Sequence, residues 1–231
     1  MRMGNEAISR LTAMKKNFVF IGEAGSGKSE VAINFAMEMA GEAKREVHFF
    51  DMDQTKPMLR SRDAADRLKE AGIVFHSAAQ LLDAPIVPSA VIESLTNEDR
   101  YVIMDVGGGE LGAHMIGQFS QWINAEDTYV LFIINPYRPW SRDAEHAVET
   151  MQIVTGCSRI EKVHLVSNPN LGPGTTAEDI IAGSEKLRGM VGADADFICV
   201  LSELVPQVEG KVREGILPMH IFIPFPWQNE I

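Results

Sequence analysis

Apolar residues in this chain gather into short runs rich in valine, isoleucine and phenylalanine, each followed by a turn and a stretch with helical spacing. The runs are Phe18–Ile21, Val47–Phe50, Ile73–Phe75, Tyr101–Met104, Tyr129–Ile134, Val163–Val166 and Phe197–Leu201. Helical spacing fills Glu30–Ala40, Ala64–Glu70, Ser89–Leu95, Leu111–Ile123, Asp143–Val154 and Ala177–Leu187. Gly41 stands just past the first helical stretch and reads as its C-cap, because glycine takes the left-handed conformation at no steric cost. Runs without in–out alternation suit strands covered on both faces. Strands alternating with helices predict an α/β fold of three layers, a mostly parallel sheet flanked by helices. The segment from Ile216 to Ile231 is apolar but carries Pro218, Pro224 and Pro226. It reads as a packed edge segment rather than an amphipathic membrane helix.

Composition narrows the class. The 231 residues suit one substantial core, and no repeat, low-complexity tract or linker divides them, so a single domain over residues 1–231 is expected. No apolar run reaches the roughly 18 residues of a membrane-spanning helix. Met1 to Lys16 lacks the apolar core of a secretory signal, and the expectation is a cytoplasmic protein with no membrane anchor. A formal charge of −11 argues against a general nucleic-acid binder, which needs clustered lysine and arginine. Cys157 and Cys199 are far apart and form no Cys-x-x-Cys pair, so both read as small buried hydrophobes. The six histidines are scattered, and no metal site is legible from their spacing.

The chemistry begins after the first apolar run. Gly22-Glu23-Ala24-Gly25-Ser26-Gly27-Lys28-Ser29 fits G-x-x-x-x-G-K-[ST] at every fixed position, between an expected strand and an expected helix. Glycines let successive N–H groups converge on phosphate oxygens at the positive end of a helix. The candidate cradle runs from Gly22 through Glu30. Lys28 supplies a mobile point charge for the β- and γ-phosphates, and the Ser29 hydroxyl is a magnesium ligand. The plainer alternative is a glycine-rich turn that happens to precede a helix. A dinucleotide fold competes too: Glu30 stands where the loop's third glycine should be, but Gly107-x-Gly109-x-x-Gly112 matches G-x-G-x-x-G. The acid expected at the end of the following strand is missing there, since that strand ends at Asn135.

Two later runs end in acids. Phe49-Phe50-Asp51-Met52-Asp53 puts two carboxylates on one side of an extended segment, and Tyr101 to Met104 leads into Asp105-Val106-Gly107-Gly108. A magnesium–nucleotide site needs carboxylates for the metal's water shell and one for the attacking water. Strand-end acids also occur for purely structural reasons, but Gly22, Asp51 and Asp105 all begin at strand carboxyl ends, where sites in such sheets lie.

Taken with the phosphate loop, Asp51-x-Asp53, Asp105-x-x-Gly108 and Val166-Ser167-Asn168 give a pattern that resembles the MinD/ParA/Mrp branch of P-loop ATPases over nearly the whole chain. The resemblance implies a P-loop NTPase fold, ATP with Mg2+, hydrolysis, and a switch that engages a protein partner, with a homodimer formed on ATP. It makes Asp53 the residue that positions or activates the catalytic water. Asp51 and Asp105 would act on magnesium through its shell, Gly108 would lie by the γ-phosphate, and Asn168 would hydrogen-bond the base. One position departs from the pattern. The family usually has a lysine directly after the first glycine, reaching across the dimer, and this chain has Glu23. The loop is also similar to that of the GTPases that deliver nickel to hydrogenase and urease. Their Asn-Lys-x-Asp is absent, since Asn168-Pro169-Asn170-Leu171 stands there, so ATP is favoured over GTP.

Two segments are candidates for filling the lysine's place or meeting a partner. Thr55 to Arg62 concentrates positive charge after the acidic pair, and Arg60 or Arg62 could supply a cation to the phosphates; solvation of the next helix is the alternative. In Pro136-Tyr137-Arg138-Pro139-Trp140, Trp140 reads as a core cap rather than a partner surface. The expectation is a slow Mg-ATPase switch. A small-molecule kinase or ligase on the same fold, a metallochaperone-like GTPase and a nucleotide-gated scaffold remain alternatives.

Overall fold

The computed structural model describes residues 4–42, 45–53, 64–77 and 87–223. Helix α1 (Gly4–Met14) precedes strand β1 (Asn17–Ile21), α2 (Lys28–Glu42) and β2 (Glu46–Met52). There follow α3 (Ala65–Glu70), β3 (Val74–Ser77), α4 (Val87–Thr96), β4 (Arg100–Val106), α5 (Gly109–Ile116), α6 (Ser120–Ile123) and β5 (Thr128–Ile134). The remaining elements are α7 (Ala144–Ser158), β6 (His164–Ser167), α8 (Ala177–Val191), β7 (Phe197–Leu201), α9 (Val205–Val208) and β8 (Gly215–Met219).

All eight strands form one sheet in the order β3-β2-β4-β1-β5-β6-β7-β8, and every pairing is parallel. Every residue of β1 and β5 is buried, which is why their sequences read as unbroken apolar runs. Phe18, Phe20, Phe49, Ile103 and Leu131 pack on one face with Val31 and Phe35 of α2. Val19, Ile21, Phe50, Met104 and Phe132 pack on the other with Ala113 and Ile116 of α5 and Val154 of α7. The loops leaving the neighbouring strands β1 and β4 therefore run to opposite faces. A cleft lies at the carboxyl edge of the sheet, on the β5–β8 side of the phosphate loop, where sites in open parallel sheets are found.

Several sequence expectations change. Gly41 lies inside α2, which continues to Glu42, so it does not cap that helix. Leu111–Ile123 is not one helix: α5 ends at Ile116, a 3-10 turn covers Gly117–Phe119, and α6 follows. The break falls at Gly117, where a Cβ would lie 3.0 Å from the Cys157 carbonyl oxygen, so α7 approaches at the residue least able to sustain a helix. Helix α1 was not legible, and among its described side chains only Ile8 and Leu11 are buried hydrophobics. The described part of the apolar segment after Gly215 starts as a paired edge strand, with Pro218 opposite Val200. An edge strand tolerates a proline that a central one would not. Cys199 is buried, whereas Cys157 is only half-buried, and both thiols are free. Arg60, Arg62, Pro224 and Pro226 lie outside the described residues. Among the described residues, no helix is long and apolar enough to cross a membrane.

Candidate functional site

β1 delivers the chain into the phosphate loop, and α2 begins at Lys28, so the loop's glycines sit against a helix N-terminus. Gly27 has φ 92°, and a Cβ there would lie 2.2 Å from Asn168 Nδ2. Only glycine satisfies both constraints. Lys28 is 2% exposed, and its Nζ donates to the Glu23 carbonyl at 3.1 Å. Ser29 follows on the first turn of α2, also buried. The Glu23 carboxylate accepts the Ala24 N–H at 3.1 Å, so this residue turns back on its own loop.

The three predicted acids lie at the carboxyl ends of β2 and β4, on one side of β1, the strand that leads into that loop. Asp51 and Asp105 are register partners on the adjacent strands β2 and β4, and Asp105 is also in register with Phe20. Paired residues point to one face of a sheet, and here it is the face that packs α2. Asp53 lies two residues beyond Asp51, with its N–H donating to Asp51 Oδ1 at 3.2 Å. Asp51, Asp53 and Asp105 are 5%, 7% and 1% exposed. Burying carboxylates costs several kcal/mol each unless positive charge is near, and the buried Lys28 sits at the same edge. Gly107 passes under Asp53, with Asp53 Oδ1 3.1 Å from where a Cβ would stand. Gly108 is pressed on the phosphate loop, 2.7 Å from Ala24 N by the same measure, and the Gly109 N–H reaches the Gly22 carbonyl at 3.4 Å. The Gly107-x-Gly109-x-x-Gly112 run thus serves to dock the end of β4 against the phosphate loop.

Asn168 follows β6, and its Nδ2 donates to the Ser26 carbonyl at 2.8 Å, bracing the loop from the opposite side to Gly108. Ser26 Oγ is buried with no hydrogen-bond partner among the described residues. A cleft of about 180 Å3 runs from Gly27, Lys28 and Ser29 past Asn168 to the 169–175 loop, and Cys199 and Met219 contribute to its lining. Burial pushes the Cys199 thiol pKa up, so it lines the cleft as a neutral apolar group. Glu30, expected within the cradle, uses its carboxylate elsewhere: it accepts the Phe222 and Ile223 N–H groups at 2.6 and 3.2 Å.

Sequence reasoning misjudged the 136–140 loop. Trp140 is 49% exposed rather than a core cap, and its Nε1 donates to the Ala24 carbonyl at 3.0 Å. Arg138 Nε donates to the Gly25 carbonyl at 3.1 Å. The loop itself is anchored by Lys186 Nζ on the Pro136 carbonyl and by the Tyr137 N–H on Asn135 Oδ1. A guanidinium and an indole thus clasp the outer rim of the phosphate loop.

No protein-family model matches the chain, and no curated protein is significantly similar to it. Solved structures do match. The signal recognition particle 54 kDa protein of Aeropyrum pernix K1, solved with GDP, aligns at TM-score 0.50 and 16% identity, over 80% of this chain and 41% of that one. A ParA family ATPase from Chlorobium tepidum TLS aligns at TM-score 0.50 and 17% identity, over 84% and 87% of the two chains. This chain therefore spans less than half the length of the first protein and most of the second. Both are SIMIBI-class P-loop NTPases, and the three-layer α/β fold seen here is that of P-loop NTPases.

Proposed function

We propose that this chain binds Mg-ATP and hydrolyses it slowly, as a single-domain switch whose nucleotide state is read by a protein partner. The observation that carries the reading is the gathering of Asp51, Asp53 and Asp105, all buried, beside a phosphate loop whose Lys28 is buried with them. Three buried carboxylates at the strand ends, with a buried lysine in the phosphate loop, suit a site that takes up a divalent cation with an anionic ligand. The ligandless Ser26 Oγ and the left-handed Gly25 and Gly27 fit a polyphosphate in the cradle. The GDP held by the structurally similar signal recognition particle protein supports a nucleotide in this crevice.

In this reading, amides from Gly22 to Glu30 and the Lys28 ammonium hold the phosphates. Ser29, Asp51 and Asp105 would hold a magnesium ion, which would supply positive charge to the phosphate oxygens. Asp53 orients the attacking water. The water oxygen bonds to the γ-phosphorus as the bond to the β-γ bridging oxygen breaks, ADP keeps that oxygen, and the water's proton passes through Asp53 to phosphate or solvent. Gly108 reports the γ-phosphate because its backbone already rests on the loop. Asn168 hydrogen-bonds the base in this reading, and it has no following Lys-x-Asp to select guanine. Turnover is slow because Glu23 places a carboxylate where the resembling ATPases place an ammonium.

Magnesium-dependent binding and hydrolysis of ATP and GTP test this, with wild type, Lys28→Ala and Asp53→Ala. The expected pattern is loss of binding in Lys28→Ala and loss mainly of turnover in Asp53→Ala, with ATP preferred. Tight ATP binding without phosphate release under any condition would overturn hydrolysis and favour phosphoryl transfer to a metabolite. Light scattering with a non-hydrolysable analogue tests the homodimer, and a monomer throughout would count against a dimeric switch.

A further inference from the structure

Away from the phosphate cradle, the fold brings together three side chains of different metal-ligating chemistry. Glu110 and His114 stand one turn apart on α5, and Cys157 faces them from the last turn of α7. One carboxylate oxygen, one imidazole nitrogen and the thiol sulfur all lie within 4.8 Å of one another. Glu110 Oε1 and His114 Nε2 are already 3.4 Å apart. Bonds of about 2.0–2.3 Å to a tetrahedral ion put ligand atoms roughly 3.5 Å from each other. The first pair therefore has metal-site spacing now, and small rotations of exposed side chains bring in the sulfur. The backbone beneath is fixed, because Gly117 packs against the Cys157 carbonyl at the junction of the two helices. Sequence spacing hides the group, since Cys157 comes from a different helix far along the chain.

We propose that Glu110, His114 and Cys157 form a binding site for one divalent transition-metal ion of the zinc class. Thiolate and imidazole select a borderline ion over magnesium or calcium, which take oxygen ligands. Three protein ligands leave a fourth position for water or for a ligand from another molecule. The site is distinct from the magnesium position assigned to Ser29, Asp51 and Asp105, and it begins one residue after Gly109, whose N–H reaches the phosphate loop.

The test uses the full chain, stripped of metal with a chelator and kept reduced, and titrated with Co2+ in excess Mg2+. One equivalent of Co2+ should bind with a near-ultraviolet thiolate charge-transfer band, and stoichiometric Zn2+ should displace it. Cys157→Ser should abolish the band, and Cys199→Ser should keep it. His114→Ala and Glu110→Gln, both exposed and harmless to packing, should each weaken binding by more than about tenfold. Circular dichroism confirms that each variant is folded, and the two exposed variants carry the test if either cysteine change disturbs folding. Absence of the band in folded wild type would overturn the site. So would Co2+ affinity unchanged by both His114→Ala and Glu110→Gln, which would leave only a lone thiol.

Discussion

Adding one methyl group at Gly108 should damage the phosphate loop from outside it. Gly108 has φ −70°, so alanine meets no backbone strain there and the effect is purely steric. The new Cβ would stand 2.7 Å from Ala24 N and 2.8 Å from Ala24 Cα. Both atoms are backbone and cannot swing aside. Restoring the 3.4 Å at which ordinary contact begins requires the end of β4 and the phosphate loop to part by about 0.7 Å. Overpacking of this kind costs about 1–3 kcal/mol. If the folded chain bears the strain, urea unfolding shows that loss directly. If the loop yields instead, its converging amides lose register and nucleotide affinity falls by about 5- to 150-fold. Gly189→Ala is the control: it lies exposed in α8 with open space around it, and should gain up to about 1 kcal/mol from helix propensity. Gly108→Ala with wild-type stability and nucleotide affinity within twofold would refute the close packing of β4's end on the loop.

Trp140→Phe keeps an aromatic ring on the rim but removes the indole bond to the Ala24 carbonyl. It should weaken fluorescent-nucleotide binding by about 0.5–1.5 kcal/mol, and unchanged affinity would show that the 136–140 loop does not steady the cradle. Stability should also depend on pH through His76, which stacks on Phe50 and sits 3.1 Å from His48 Nδ1. Burial, then the charges of His48 and Arg100, push its pKa from 6.5 down to about 4. Between those values the unfolded chain binds the proton that the folded chain refuses, so stability falls as pH drops through that window. Urea midpoints at several pH values should show this slope, flattened in His76→Phe; equal slopes in both proteins would contradict it.

What was legible in the sequence follows from what is local. The phosphate loop is contiguous, and its glycine, lysine and serine spacing is dictated by a strand-to-helix turn, so Gly22 to Ser29 could be read directly. Central strands were legible because burial on both faces leaves no polar alternation. Asp51, Asp53 and Asp105 stood out as acids at the ends of such runs, although only register shows that Asp51 and Asp105 are side by side. β8 was hidden by its proline, and α1 by the sparse apolar pattern of its described side chains, of which Ile8 and Leu11 are the buried hydrophobics. The Arg138 clasp was invisible for a different reason: its partner Gly25 is 113 residues away. Exposure misled as well, since an isolated tryptophan suggests a core until the fold shows a carbonyl for its N–H.

The clasp of Glu30 on the Phe222 and Ile223 amides has a consequence for the order of events during synthesis. The phosphate loop leaves the ribosome well before Met219, Ile221 and Ile223, which line the far wall of the cleft. An emerging chain therefore displays a lysine and three acids long before the cleft has its far wall. The central sheet must form on its own burial energy, and ligand can act only as a late lock. Ribosome-arrested chains ending before Gly215 should accordingly leave a fluorescent nucleotide unbound, whereas binding by such a chain would mean that the wall from β8 onward is dispensable.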